Sequence, residues 1–183
     1  MNLPNKLTLG RVICVPFFIL CYLKGWFIPA LVIFIAASFT DMLDGKIARK
    51  YNLVTNFGKI MDPLADKILV YSAFCLMIGD GTMADWMLII ILAREFTIAG
   101  MRTVAASQGN VIAAAMSGKI KTVLQMCAVP LLMLANAVLA MKGQAALGRN
   151  IMIFAQLVLW ASLVMTVYSG VEYVVKNRAV FQG

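Results

Sequence analysis

Six apolar segments, each long enough to cross a lipid bilayer, follow one another along the chain. They lie near residues 7–24, 27–49, 59–79, 84–106, 118–140 and 148–175. A membrane helix needs roughly 20 apolar residues, and a helix satisfies its own backbone groups in lipid. The 183 residues are 62% hydrophobic, with a mean hydropathy of +0.89, which is outside the range of soluble proteins. We therefore predict an all-α integral membrane protein with six transmembrane helices in a single domain, residues 1–183.

The segments are joined by short polar breaks that contain glycine. These breaks are Lys24-Gly25, Gly79-Asp80-Gly81, Gln108-Gly109-Asn110 and Lys142-Gly143-Gln144, and such residues favour turns. The opening residues 2–6 predict a short interfacial segment, with Pro4 suited to a first helical turn. No small-residue cleavage site follows the first apolar segment, so we expect that segment to remain as a span.

Basic residues fall mainly on one side of this layout. Of the 16 lysine and arginine residues, all but Lys24, Lys142 and Arg149 lie on the side that holds both termini. The positive-inside rule then predicts cytoplasmic termini for a multi-pass protein of the cell membrane. A net charge of +8 would suggest nucleic acid in a soluble protein. Here we interpret it as this rule plus attraction for anionic headgroups and phosphates, with membrane lipids and no nucleic acid as partners.

Two pairs of aspartates lie at the facing ends of the second and third segments. Asp41 and Asp44 are three residues apart, and Asp62 and Asp66 are four apart, so each pair lies on one face of its helix. A charge within a membrane helix costs roughly 2.5–3.5 kcal/mol, so the pairs need a compensating ligand. Carboxylates without any histidine favour Mg²⁺ or Mn²⁺. The absence of histidine also leaves a carboxylate, a lysine or a tyrosine as the general base.

Small residues beside the aspartates leave room for a bulky ligand. Gly45 and Ala48 share the helix face of the first aspartate pair, and Gly58 precedes Asp62 by about one turn. Arg49 lies four residues beyond Gly45, where it is placed to pair with a phosphate. The spacing therefore indicates a phosphate-containing ligand next to the metal.

Together these residues read Asp41-x2-Asp44-Gly45-x2-Ala48-Arg49-x8-Gly58-x3-Asp62-x3-Asp66, a pattern called the signature below. It resembles the complete motif of the CDP-alcohol phosphotransferases, and the six-span layout is similar to theirs over essentially the whole chain. The resemblance implies the fold of that family, a homodimer, and two divalent ions held by the four aspartates at the pyrophosphate of a CDP-linked donor. It further implies that Asp66 is also the base and that Gly45, Ala48, Arg49 and Gly58 bind the donor's cytidine nucleotide.

Basic residues further along the chain bear on the acceptor, which the signature does not select. Arg94, Arg102, Lys119 and Lys121 suit a phosphorylated acceptor. Their surroundings resemble the branch of the family that transfers a phosphatidyl group from CDP-diacylglycerol to sn-glycerol 3-phosphate. We expect Arg94 to pair with Glu95 or with an anion. Arg94 or Arg102, together with Lys119, are the expected direct contacts, and Lys121 is the weakest candidate.

Two other functions fit part of this pattern. Another polyol phosphate, such as inositol phosphate, would also suit the cations. A divalent-cation transporter would also carry carboxylates in its membrane helices, but it should place them near mid-bilayer and along an outer route. The aspartates of the signature instead cluster at one face, which favours the phosphotransferase.

Overall fold

The computed structural model describes residues 3–50, 56–110, 112–113 and 115–178, without the side chains of 3–6, 41–50, 56–60, 62, 63 and 66. Within these ranges the chain forms six helices and no strand. They are α1 (Leu3–Leu23), α2 (Phe27–Lys50), α3 (Asn56–Gly79), α4 (Asp85–Ser107), α5 (Met116–Leu139) and α6 (Ala145–Lys176). The all-α, six-helix prediction is confirmed.

The helices coincide with the apolar segments to within a few residues at each end. The main difference lies at the start of the chain, where the described part of the expected interfacial segment is already helical, because α1 begins at Leu3. Pro4 can occupy a first helical turn without losing a backbone hydrogen bond, so it does not stop the helix. Each predicted break contains a glycine at positive φ, namely Gly25, Gly81, Gly109 and Gly143. That conformation strains other L-residues, so glycine ends these helices at low cost.

One hydrophobic core draws on all six helices. Its largest fully buried side chains include Phe18 of α1, Phe34 of α2 and Phe74 of α3. Helix α5 packs most extensively on α6. Helix α1 packs on both α2 and α3, and α4 packs on α6. A smaller cluster of Ile98, Met101 and Tyr173 joins α4 to α6.

Large apolar side chains also cover the outside of the bundle. Phe17, Phe96 and Trp160 are among the many that are exposed, which is unusual for a soluble monomer and natural for a surface facing lipid. Among the described residues, α5 and α6 are each long and apolar enough to cross a membrane, and Leu7–Leu23, Phe27–Thr40 and Lys67–Gly79 are shorter apolar helices. The outer surface and the helix lengths therefore fit a membrane protein.

The bundle has two ends with different chemistry. Contacts of Asp80, the residue after α3, with the last turns of α1 and α5 define one of them, which we call the Asp80 end. The other holds the start of α1, the end of α2, the start of α3 and the end of α6, and we call it the signature end. There Ser117, near the start of α5, donates a hydrogen bond of 2.5 Å to Glu172, near the end of α6.

A polar cluster ties the helices together at the Asp80 end. One carboxylate oxygen of Asp80 accepts hydrogen bonds from the Tyr22 hydroxyl at 2.5 Å and the Asn136 amide at 3.1 Å. The other accepts from the Thr82 backbone N–H at 3.0 Å and its hydroxyl at 2.6 Å. Gln156 of α6 donates to the Thr82 carbonyl at 2.5 Å. These five residues, the Asp80 cluster, link α1, α5 and α6 to the α3–α4 connection.

Candidate active site

The backbone positions of the signature fall on two helices that pack against each other. Asp41, Asp44, Gly45, Ala48 and Arg49 lie in the last turns of α2, and Gly58, Asp62 and Asp66 lie in the first turns of α3. Apart from this helical backbone, these positions are outside the described residues. Their predicted roles as metal and donor ligands therefore stay predictions.

A compact group of charges lies on α3, α4 and α5, beginning next to the signature. Glu95 of α4 accepts a hydrogen bond from Lys121 of α5, and its carboxylate lies 2.8 Å from Nη1 of Arg94. Nζ of Lys67, the residue after Asp66 in α3, lies 3.2 Å from its other oxygen. Lys67, Arg94, Glu95 and Lys121 form the Glu95 cluster. It gathers side chains from three helices around one carboxylate.

Burial explains why these charges are held together. The side chains of Lys121 and Glu95 are only 4% and 12% exposed, and an unpaired charge at such a position is strongly unfavourable. Glu95 therefore offsets the cost of burying Lys121. However, three cations share this single carboxylate, so the cluster keeps surplus positive charge relative to the described carboxylates. That surplus suits an anionic ligand.

Arg94 lies against Ser169, Gly118 and Gly170. Its Nη2 donates a hydrogen bond of 3.0 Å to Ser169 of α6. A Cβ atom on Gly118 would lie 3.1 Å from Nη2, and one on Gly170 would lie 3.0 Å from Cγ of Arg94. The two glycines therefore provide the space that the arginine occupies. Its buried Nε has no hydrogen-bond partner among the described residues, so the guanidinium keeps a donor for a ligand.

The other two predicted acceptor contacts lie elsewhere. Arg102 is exposed, and its Nε donates a hydrogen bond of 3.1 Å to the Tyr173 hydroxyl. Lys119 is also exposed, whereas Lys121, two residues further along α5, is buried. Among the described contacts, the structure thus brings Arg94 and Lys121 together at Glu95 and leaves Arg102 and Lys119 outside the cluster.

Sequence reasoning missed two residues of this region and gave Glu95 only the role of a partner for Arg94. In the sequence, Lys67 contributes only to the positive charge on the side of the termini, although its place directly after Asp66 is a usable signal. Gln125 is buried on α5, one turn beyond Lys121. The signal there was a polar amide inside an apolar span, spaced to share a helix face with a lysine. Both residues line a cavity beside Glu95.

The donor set of the signature fits a hard divalent cation. Four carboxylates without a thiol or an imidazole match the oxygen coordination of Mg²⁺ or Mn²⁺. Among the residues whose side chains are described, no group of three or more His, Cys, Asp or Glu could hold a metal. The four aspartates lie outside that group of residues, so they remain the metal-binding candidates of the chain.

Comparison with known proteins identifies the family. The model of the CDP-alcohol phosphatidyltransferase family matches residues 1–168. A CDP-diacylglycerol–glycerol-3-phosphate 3-phosphatidyltransferase of Bacillus subtilis is 42% identical over 191 residues, which cover 96% of this chain and 95% of the relative. The protein of the same name from Rickettsia felis is 36% identical over 175 residues, covering 94% and 93%.

A third relative carries a related name. The probable phosphatidylglycerophosphate synthase of Mycobacterium tuberculosis is 35% identical over 181 residues, covering 96% of this chain and 81% of the relative. The resemblance carried by the signature is thus confirmed across nearly the whole length. Proteins of this family are multi-pass membrane enzymes that generally depend on divalent metal ions. The chain belongs to the CDP-alcohol phosphatidyltransferase family.

Proposed function

We propose that this protein transfers the phosphatidyl group of CDP-diacylglycerol to sn-glycerol 3-phosphate, producing phosphatidylglycerophosphate and CMP. The names of the relatives above support this reaction. The observation that carries the choice of acceptor is the Glu95 cluster, where Lys67, Arg94 and Lys121 meet around one carboxylate. Its surplus positive charge suits a phosphorylated alcohol better than a neutral or cationic one.

The donor occupies the signature. Asp41, Asp44, Asp62 and Asp66 would hold two Mg²⁺ or Mn²⁺ ions, which when bound would neutralise negative charge on the donor's pyrophosphate. Gly45, Ala48 and Gly58 leave room for the cytidine nucleotide, and Arg49 pairs with a phosphate. These positions support the proposal through their place on the facing ends of α2 and α3.

The acceptor phosphate binds at the Glu95 cluster. Arg94 and Lys121 are its direct contacts, and Arg102 and Lys119 attract it from the exposed rim of the bundle. Glu95 positions the two direct contacts without touching the substrate. The acceptor's hydroxyl then points toward Asp66, which is joined to the cluster through its neighbour Lys67 in α3.

Asp66 is the base for the transfer itself. It takes the proton of the acceptor hydroxyl, whose oxygen forms a bond to the phosphorus that carries diacylglycerol. The bond between that phosphorus and the CMP oxygen breaks, and CMP leaves with the electron pair. Asp66→Asn should therefore abolish turnover while CDP-diacylglycerol binding stays measurable. Normal turnover of this variant across neutral pH would exclude Asp66 as the base.

A substrate assay tests the reaction. The purified protein in detergent, supplied with CDP-diacylglycerol and Mg²⁺ or Mn²⁺, should convert radiolabelled glycerol 3-phosphate into a lipid, and chelation should stop the conversion. Inositol 1-phosphate in place of glycerol 3-phosphate tests the alternative polyol phosphate. Conversion of inositol phosphate alone would contradict the proposed acceptor. A divalent-cation transporter fits poorly, because the aspartates of the signature lie at one end of α2 and α3 and not along a path across the membrane.

Residues 1–183 form one membrane-embedded catalytic domain, whose two ends and signature end face the cytoplasm. With the native cysteines Cys14, Cys21, Cys75 and Cys127 replaced, Lys50→Cys and Lys142→Cys variants test this in sealed cells. A membrane-impermeant thiol reagent should label position 142 only. Equal labelling of both positions would overturn the orientation.

The protein also acts as a homodimer, as the resemblance to its family implies. Light scattering of the detergent-solubilised protein measures the mass of the protein part of the micelle. A mass of one chain at working concentration would contradict the dimer.

A further inference from the structure

A small cavity of about 80 Å³ opens between α3, α4 and α5, directly beside the Glu95 cluster. The residues with polar groups in its lining are Lys67, Tyr71, Glu95, Lys121, Thr122 and Gln125. One part of the wall therefore carries the surplus cations, and Gln125 extends the polar wall one turn further along α5. A charged and a neutral polar surface thus face the same small volume.

Gln125 is the unusual member of this wall. It is 4% exposed, and its amide nitrogen Nε2 is buried with no hydrogen-bond partner among the described residues. A buried N–H group without a partner is costly, and most such groups in native proteins are satisfied by a protein atom, a water or a ligand. Gln125 therefore offers a donor to whatever occupies the cavity.

The Thr122 hydroxyl is not available to donate a hydrogen bond to a ligand in the cavity. Its hydroxyl hydrogen is used in a bond of 3.1 Å to the Gly118 carbonyl, so the oxygen can only accept from a ligand. Among the lining side chains, the Gln125 amide is the buried neutral donor without a partner among the described residues, and the charged donors are the lysines. A ligand that matches both must carry an anionic group and further oxygens that accept hydrogen bonds.

We propose that Gln125 is a specificity-determining residue that donates an N–H hydrogen bond to an oxygen of the phosphorylated acceptor. This inference rests on the proposed function, because it assigns a further contact to the same acceptor. The oxygen belongs either to the acceptor's phosphate or to the hydroxyl that does not attack. Gln125 thereby recognises the acceptor at a point that the cation cluster alone does not reach.

Gln125→Leu tests the contact, because leucine has a similar size and no polar atom. The variant should raise the KM for sn-glycerol 3-phosphate about tenfold and leave the KM for CDP-diacylglycerol unchanged, as expected for loss of one hydrogen bond to the acceptor. Its melting temperature without substrate should equal or exceed that of the wild type, since an unpartnered buried amide has been removed. A purely structural role would produce the opposite thermal shift.

The phosphate ester of 1,3-propanediol, which lacks the secondary hydroxyl of the acceptor, identifies the oxygen. If Gln125 contacts that hydroxyl, the wild type should use the analogue with a raised KM. Gln125→Leu should then have the same KM for the analogue as the wild type. If Gln125 contacts the phosphate, the variant should raise the KM for both acceptors by the same factor. Either result supports the proposal.

Gln156→Leu is the matched control. Gln156 donates to the Thr82 carbonyl, so its loss should lower the melting temperature and keep the acceptor KM. A wild-type acceptor KM in Gln125→Leu, or an equal rise in both substrate KM values, would overturn the role of Gln125 alone. If the wild type fails to use glycerol 3-phosphate at all, the proposed function and this inference both fall.

Discussion

The Asp80 cluster and the Glu95 cluster each join several helices around one carboxylate. They differ in the number and charge of the hydrogen-bond donors around that carboxylate. Asp80 accepts four hydrogen bonds from neutral groups, two on each oxygen. Glu95 faces three cations, and Arg94 Nε and Gln125 Nε2 near it keep donors without partners among the described residues. A cluster whose donors and acceptors balance stabilises the fold. A cluster with surplus donors is suited to bind an anion.

Replacing Glu95 should have the largest effect, because it should change both the stability of the protein and the KM for glycerol 3-phosphate. Glu95→Gln leaves the buried Lys121 without its counter-charge, and breaking a buried pair in this way costs about 3–5 kcal/mol. We expect a much lower stability against denaturant in detergent and a raised KM for glycerol 3-phosphate. Glu172→Gln is the control and should change little, because the side chain of its partner Lys176 is 67% exposed and the glutamine oxygen can still accept the Ser117 hydrogen bond. Wild-type stability and KM in Glu95→Gln would show that the cluster is not held by its carboxylate.

The direct acceptor contacts come next. Arg94→Ala and Lys121→Met each remove one charged hydrogen bond to the acceptor phosphate, worth roughly 1.5–3 kcal/mol. The acceptor KM should therefore rise about tenfold to a hundredfold, with little change in the KM for CDP-diacylglycerol. Steady-state kinetics with each substrate varied in turn measures this. Arg102→Ala and Lys119→Ala should have smaller effects, and the reverse order would favour the exposed pair as the site.

Removing Asp80 should separate stability from activity. Asp80→Leu leaves Tyr22 and Asn136 without their acceptor, so stability should fall by about 1–3 kcal/mol. Both KM values should stay at the wild-type level, because Asp80 lies at the opposite end of the bundle. Asp85→Leu is the control, since Asp85 accepts a hydrogen bond from the backbone N–H of its neighbour Trp86 and not from another helix. A raised acceptor KM in Asp80→Leu would contradict the division of the bundle into two regions.

The smallest effect is expected from two glycines of α6. A Cβ on Gly170 would lie 3.0 Å from Cγ of Arg94, whereas a Cβ on Gly148 would lie 2.8 Å from the Leu139 side chain. Gly170→Ala should therefore shift Arg94 slightly and raise the acceptor KM about twofold to fivefold, since small displacements of binding groups reduce rates. Gly148→Ala should lower the melting temperature only. Identical kinetic profiles of the two variants would remove Arg94 from the acceptor site.

The helices could be predicted from the sequence because their causes are local. Apolar length sets each helix, and Gly25, Gly81, Gly109 and Gly143 end or join them at positive φ. The signature could also be assigned to two facing helix ends from spacing alone. Both inferences need only the residues within one segment and the alternation of direction between segments.

The residues of the acceptor site could not be predicted in the same way, because they depend on which face of each helix points into the bundle. Lys119 and Lys121 are two residues apart and therefore point to different faces of α5. The sequence favoured Lys119, but the structure buries Lys121 against Glu95 and leaves Lys119 exposed. A helix that is apolar on nearly every side carries no pattern that marks its inner face. The charges in α3, α4 and α5 could therefore be found from the sequence, but not their meeting at one carboxylate.

The space around Arg94 affects how the sequence can evolve as well as how the protein binds its acceptor. Positions 94, 118 and 170 lie on three helices, yet the arginine fills the space that Gly118 and Gly170 leave. Selection on any one of them therefore acts on all three. Across relatives we expect glycine at positions 118 and 170 wherever position 94 is arginine. A smaller residue at 94 should act as a second-site suppressor of larger residues at the other two.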